Sequence, residues 1–108
     1  MAATNHAPRG SLDHVELWVP DLARATTQWG WLLGQLGYTL FQDWPAGRSW
    51  RLGATYLVIE QSPALTARGH DRLRPGMNHL AFQAGPRQEV DARIRRGAIP
   101  IISAARGA

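Results

Sequence analysis

The stretch Leu12–Ala25, "LDHVELWVPDLARA", changes its period half-way along, and that change sets the fold. From Leu12 to Val19 the residues alternate as in a strand, with Val15, Leu17 and Val19 pointing one way and His14, Glu16 and Trp18 the other. Pro20 ends this strand and Asp21 suits a helix N-cap. Leu22, Thr26, Trp29, Leu33 and Leu36 then recur at helical spacing until Gly37 supplies a stop. Gly30 and Gly34 each cost that helix about 1 kcal/mol of propensity. One strand face is wholly apolar; the other carries a histidine, a glutamate and a tryptophan that need a reason.

Further strands follow. "YTLFQDW" (Tyr38–Trp44) reads as a strand and Pro45–Gly47 as a turn; "RSWRL" (Arg48–Leu52) and "TYLVIEQ" (Thr55–Gln61) read as a hairpin pair around Gly53. Residues 12–61 therefore form a βαβββ module, preceded by a disordered tail over 1–11. The polar, arginine-rich stretch 62–76 reads as a linker, with His70 as an exposed loop residue. The pattern then restarts. In "MNHLAFQAG" (Met77–Gly85), His79, Ala81 and Gln83 lie on one side and Leu80 and Phe82 on the other. Pro86 suits a first helical position, Val90 and Ile94 form an i, i+4 apolar pair, and Gly97 is a natural stop. Each copy places a histidine third in its strand. Only Ala98–Ser103 has the composition for a further strand, so 77–108 reads as an incomplete second module of an α+β fold.

Composition limits the chemistry. The chain has 108 residues, enough for one domain, and no cysteine, which excludes disulfides, thiolate zinc sites and a cysteine nucleophile. The net charge is +4, but all twelve basic residues are arginines scattered along the chain, with only Arg93–Arg96 locally dense. That pattern reads as solvated surface rather than a nucleic-acid footprint. No apolar run approaches the ~20 residues of a membrane span, and the N-terminus lacks a signal-type apolar stretch. A soluble, cytoplasmic protein with no membrane partner is expected.

The candidate site residues come from separate strands. In Thr55–Gln61, Tyr56, Val58 and Glu60 share a face, and a carboxylate ending so apolar a strand is costly to bury unless it is paired or bound to a cation. If the faces bearing His14, Glu60 and His79 line one cavity, they supply two imidazoles and a carboxylate, a set suited to a divalent Zn, Fe, Ni or Mn ion. Taken singly, each histidine reads more often as a hydrogen-bonded core or rim residue, and their equivalent positions in the two copies bring the metal reading level with it.

At these residues the chain resembles the vicinal oxygen chelate superfamily, which contains glyoxalase I, bleomycin-resistance proteins, extradiol dioxygenases and fosfomycin-resistance thiol transferases. The stretches that carry the resemblance are "LDHVELWVPDLARATTQWGWLLGQLGY", "YLVIEQSP" and "GMNHLAFQAG". It implies paired βαβββ modules whose curved mixed sheet, with its helices outside, encloses a ligand cavity, with His14, Glu60 and His79 at the first three metal-ligand positions. A further glutamate on an eighth strand belongs to the pattern, and the chain reads as C-terminally truncated before it.

Two functions follow from the resemblance. One is a metal-dependent lyase, isomerase or dioxygenase acting on a small oxygenated substrate. There Trp18, Trp44, Trp50 and Tyr56 would shape the pocket, and Glu16 and Gln83 would orient substrate or metal-bound water. The other is a metal-free binding protein of the bleomycin-resistance type, holding a flat or cationic ligand between aromatic walls by stacking and by the charge of Glu16 and Glu60. A third reading is an inactive remnant. An incomplete second module leaves a sheet edge uncovered, so a homodimer completing the sheet is expected.

Overall fold

The computed structural model describes residues 7–67 and 69–96. Its elements run β1 (His14–Trp18), α1 (Leu22–Gln35), β2 (Thr39–Trp44), β3 (Gly47–Leu52), β4 (Thr55–Glu60) and α2 (Arg87–Arg96). The four strands form one curved mixed sheet in the order β1-β4-β3-β2. β1 runs parallel to β4, while β2, β3 and β4 are an antiparallel meander. The first module is therefore the expected βαβββ unit.

The helix between β1 and β2 is bounded by the residues that predicted it. The Asp21 carboxylate accepts a hydrogen bond from the Arg24 N–H at 3.1 Å, satisfying one of the free donors of the first turn. At the other end Gly37 adopts φ +91°, where a side chain would be strained. The Gly37 N–H donates to the Gly34 carbonyl at 3.1 Å and the Tyr38 N–H to the Leu33 carbonyl at 2.9 Å, the paired bonds of a Schellman cap. This cap reverses the chain directly into β2.

One face of the sheet packs on α1. Ala25 and Leu33 of the helix meet Trp50, Leu57 and Ile59 of β3 and β4, with Leu17, Val19, Leu22, Trp29 and Tyr38 around them. Gly30 faces the sheet, where a Cβ would make an ordinary contact 3.5 Å from the Trp50 ring. Gly34 faces open space, since a Cβ would meet nothing within 4 Å. Gly34→Ala is therefore expected to raise stability by about 0.5–1 kcal/mol, some 2–8 °C in thermal midpoint for a domain of this size. A midpoint that falls on thermal denaturation would show that the helix needs the glycine.

The second module differs from expectation. Met77–Gly85 keeps the predicted alternation, with Leu80 and Phe82 half-buried and His79, Ala81 and Gln83 exposed, yet it joins no sheet in the described residues. Phe82 packs edge-on against Trp29 and Tyr38, with ring centroids 6.5 and 6.2 Å apart. The segment thus buries its apolar side chains on the core around α1 instead of pairing its backbone with an edge strand. α2 forms as predicted after Pro86. The expected stop at Gly97, the strand over Ala98–Ser103 and the first six residues of the tail lie outside the described residues. Among the described residues no helix is long and apolar enough to cross a membrane.

Candidate functional site

The face of the sheet away from α1 carries the unusual residues, and strand register orders them into three rows. In the first, His14 of β1 is opposite Tyr56 of β4, which is opposite Arg51 of β3. In the second, Glu16, Val58 and Ser49 follow, with Gln42 of β2 beside Ser49. In the third, Trp18 pairs with Glu60, Glu60 with Gly47, and Gly47 with Trp44 of β2. Val58 and Ser49 are buried and make the floor. The Ser49 hydroxyl accepts from the Gln42 N–H and donates to Gln42 Oε1, both at 3.0 Å, so this polar floor is satisfied internally.

The first row is an aromatic wall. The His14 imidazole stacks on the Tyr56 ring at 4.7 Å between centroids and 11° between planes. Phe41 meets Tyr56 edge-on at 5.2 Å, and the Arg51 guanidinium lies over Phe41, 4.8 Å from its centroid. Phe41 reaches this face because the β2–β3 register shifts between Leu40 and Gln42, making it the extra residue of a bulge. His14 is oriented by its neighbour. Its Nδ1 lies 2.8 Å from Asp13 Oδ2, and because a carboxylate accepts, that nitrogen carries the proton. In the neutral ring Nε2 is then the acceptor nitrogen. Arg51 donates through Nε to the Gly53 carbonyl at 3.1 Å, and among the described residues its terminal nitrogens have no hydrogen-bond partner.

The expected ligand set does not converge. Glu60 shares a face with His14 but belongs to the third row, four residue pairs further along, or about 13 Å at the rise of a parallel strand. The side chain beside His14 is Tyr56. His79 is exposed outside the sheet, its Nδ1 3.2 Å from Asn78 Oδ1. Among the described residues no three His, Cys, Asp or Glu side chains come together to hold a metal ion. A chemically suitable donor set is therefore divided between two ends of the sheet and a segment outside it, and its placement among the described residues does not fit one ion with ligands at about 2.0–2.2 Å.

The other candidates divide between the faces. Glu16, Trp18, Trp44 and Tyr56 lie on the helix-free face, and Gln83 is exposed on the segment after the linker. Trp50 is in the core: alternation along β3 sets it opposite Leu57 and Leu40, under the helix, at 6% exposure. Sequence reasoning missed Phe41, Arg51 and Asp13. Arg51 carried a signal, because a hairpin around Gly53 places it across from Tyr56; the bulge that brings in Phe41 breaks the alternation and carries none. A small apolar pocket of about 170 Å³ lies where Leu80, Ala81 and Phe82 cross the ends of β1 and β4. It is below the roughly 300–1,000 Å³ of ligand cavities. Tyr38 lines it, and burial raises its phenol above the ordinary value of 10.0.

Comparison with known proteins places this geometry. A family model described as the glyoxalase/bleomycin resistance protein/dioxygenase superfamily matches residues 13–98. YqjT, an uncharacterized protein of Bacillus subtilis (strain 168), is 45% identical over 82 residues, covering 74% of this chain. The chain spans 63% of the length of that relative. A crystal structure of a candidate glyoxalase from Bacillus halodurans superposes with a TM-score of 0.76 at 42% identity, over 82% of this chain and 67% of that one. Lactoylglutathione lyase from Agrobacterium tumefaciens shares the fold at a TM-score of 0.53 and 18% identity, over 83% of this chain and 69% of that one. With the matched region running from the histidine-bearing β1 through α2, the chain belongs to the glyoxalase/bleomycin resistance protein/dioxygenase superfamily.

Proposed function

We propose that the chain binds a flat, oxygen-bearing small molecule on the helix-free face of its sheet, in the metal-free manner of a sequestering protein. The observation that carries this reading is the register of β1 on β4, which sets Tyr56 instead of Glu60 beside His14 and builds a stacked wall. A planar ligand extends that wall by ring contact with Tyr56, His14 and Phe41. A ligand hydroxyl donates to Nε2 of the neutral His14 ring, the acceptor of the tautomer whose Nδ1–H is bonded to Asp13. Arg51 supplies N–H donors for a ligand oxygen at the opposite side of the wall.

The metal-dependent lyase or dioxygenase expected from the resemblance requires His14, Glu60 and His79 around one ion. The separation of His14 and Glu60 along the sheet supports the binding reading instead.

Titration with 2-naphthol, followed by two-dimensional amide NMR in the presence of a chelator, tests the proposal. Saturable shifts are expected at His14, Phe41, Arg51 and Tyr56, and Tyr56→Ala is expected to weaken binding by about tenfold, the upper range of an aromatic contact. Binding that appears only after a divalent ion is added, and is lost in both His14→Ala and Glu60→Ala, would return the site to a metal centre.

A further inference from the structure

At the end of the helix-free face remote from His14, three strands bring two indoles to either side of one carboxylate. Trp18 of β1 pairs with Glu60 of β4, and Glu60 pairs with Gly47 of β3. Gly47 has no side chain, and the Trp44 ring occupies the space: a Cβ built on Gly47 would meet Trp44 Cε2 at 2.7 Å. The row across the sheet is therefore indole, carboxylate, indole.

The Trp18 ring and the turn that carries Trp44 are held. The Trp18 Nε1–H donates to Glu16 Oε2 at 2.7 Å, which fixes an indole that is 49% exposed. Trp44 opens the β2–β3 turn, and Arg48 clamps that turn by donating through Nη1 to the carbonyls of Trp44 and Gly47, both at 2.7 Å, while pairing with Asp43 at 3.1 Å. Arg48 is thereby engaged away from Glu60. Among the described residues Glu60 is half-buried and joins no ion pair, in a chain with twelve arginines and a net charge of +4. A half-buried carboxylate that no arginine engages leaves its charge open to a cation delivered from solution.

We propose that Trp18, Glu60 and Trp44 form a cage for an organic cation, specifically an alkylated ammonium group. Strands β1 and β3 are two spacings apart, about 10 Å, so a cation above Glu60 lies within the roughly 6 Å reach of both rings. One carboxylate neutralises one charge, and the indoles present π-surface to methyl groups, which inorganic ions with tight hydration shells do not exploit. This site uses none of the residues of the His14–Tyr56 wall, and it stands independently of the ligand proposed there.

Choline chloride and its uncharged carbon analogue 3,3-dimethylbutan-1-ol separate charge recognition from apolar contact. Titration of the full chain with choline is expected to move the indole N–H resonances of Trp18 and Trp44 and to saturate. The alcohol is expected to bind at least about tenfold more weakly, as is choline to Glu60→Gln. Sodium chloride at matched ionic strength is expected to leave both indole resonances in place. Equal affinity for choline and the alcohol, unchanged affinity in Glu60→Gln, or an equal response to sodium would each overturn the cage. The wild-type comparison decides alone if Glu60→Gln does not fold. Since 2-naphthol is read at His14 and Tyr56, failure of either site is seen separately from failure of the other.

Discussion

Leu33→Ala is expected to remove about 2–5 kcal/mol of stability, a large share of the roughly 5–15 kcal/mol that holds a small domain together. Leu33 is wholly buried and sits at the centre of the cluster formed by Ala25, Trp50, Leu57 and Ile59. Truncation loses the transfer free energy of the side chain and leaves a cavity whose walls resist collapse, because Trp50, Leu57 and Ile59 are fixed by the ladders of β3 and β4. Leu33 also supplies the carbonyl that receives the Tyr38 N–H in the Schellman cap, so loosening around it reaches the turn into β2. A urea titration checks the result, with Leu33→Met as the volume-conserving control expected to lose less than about 1.5 kcal/mol. A loss below about 1 kcal/mol in the alanine variant would mean that the core is centred elsewhere.

Gly47→Ala is expected to be nearly as damaging, for a different reason. The added Cβ would lie 2.7 Å from the Ile59 carbonyl oxygen as well as from the Trp44 ring. The ring can swing aside, but the carbonyl belongs to β4, an inner strand of the sheet, and moves only if the ladder does. Overpacking of this kind costs about 1–3 kcal/mol. The same displacement takes Trp44 away from Glu60, so loss of choline binding accompanies the loss of stability. Tryptophan fluorescence shifted to the red, together with a lowered denaturation midpoint, is the expected signature. Unchanged values of both would show that the ring does not rest on Gly47. Gly34→Ala is the counterpart, a methyl group added into open space, and the two glycines give opposite signs.

What the sequence disclosed and what it withheld have separate physical causes. The first module was legible because its signals are local: the alternation of Leu12–Val19, the Asp21 cap and the Gly37 stop each act within one turn or one strand. A period of two also assigns faces, and Glu16, Trp18, Tyr56 and Glu60 are on the face it gave them. It assigns nothing about offset. His14 and Glu60 share a face in any register, and only the pairing of β1 with β4 decides that Tyr56 is the neighbour. His79 shows the same limit in another form. Alternation in Met77–Gly85 records which side chains are buried, and burial against Trp29 and Tyr38 satisfies it without any ladder. Phe41 was hidden because a bulge is an exception to the period from which faces are read.

The parallel pairing of β1 has a consequence for how the two proposed sites come into being. β2, β3 and β4 follow one another through short turns and zip from local contacts, whereas His14 meets Tyr56 only by closing a loop of 42 residues (56 − 14). Among the described residues β1 is a border strand of the sheet, attached on one side alone. It nevertheless contributes His14 to the wall and Trp18 to the cage, so both await the most entropically demanding step of assembly. Partial opening at that border dismantles them together while the meander beneath the helix persists.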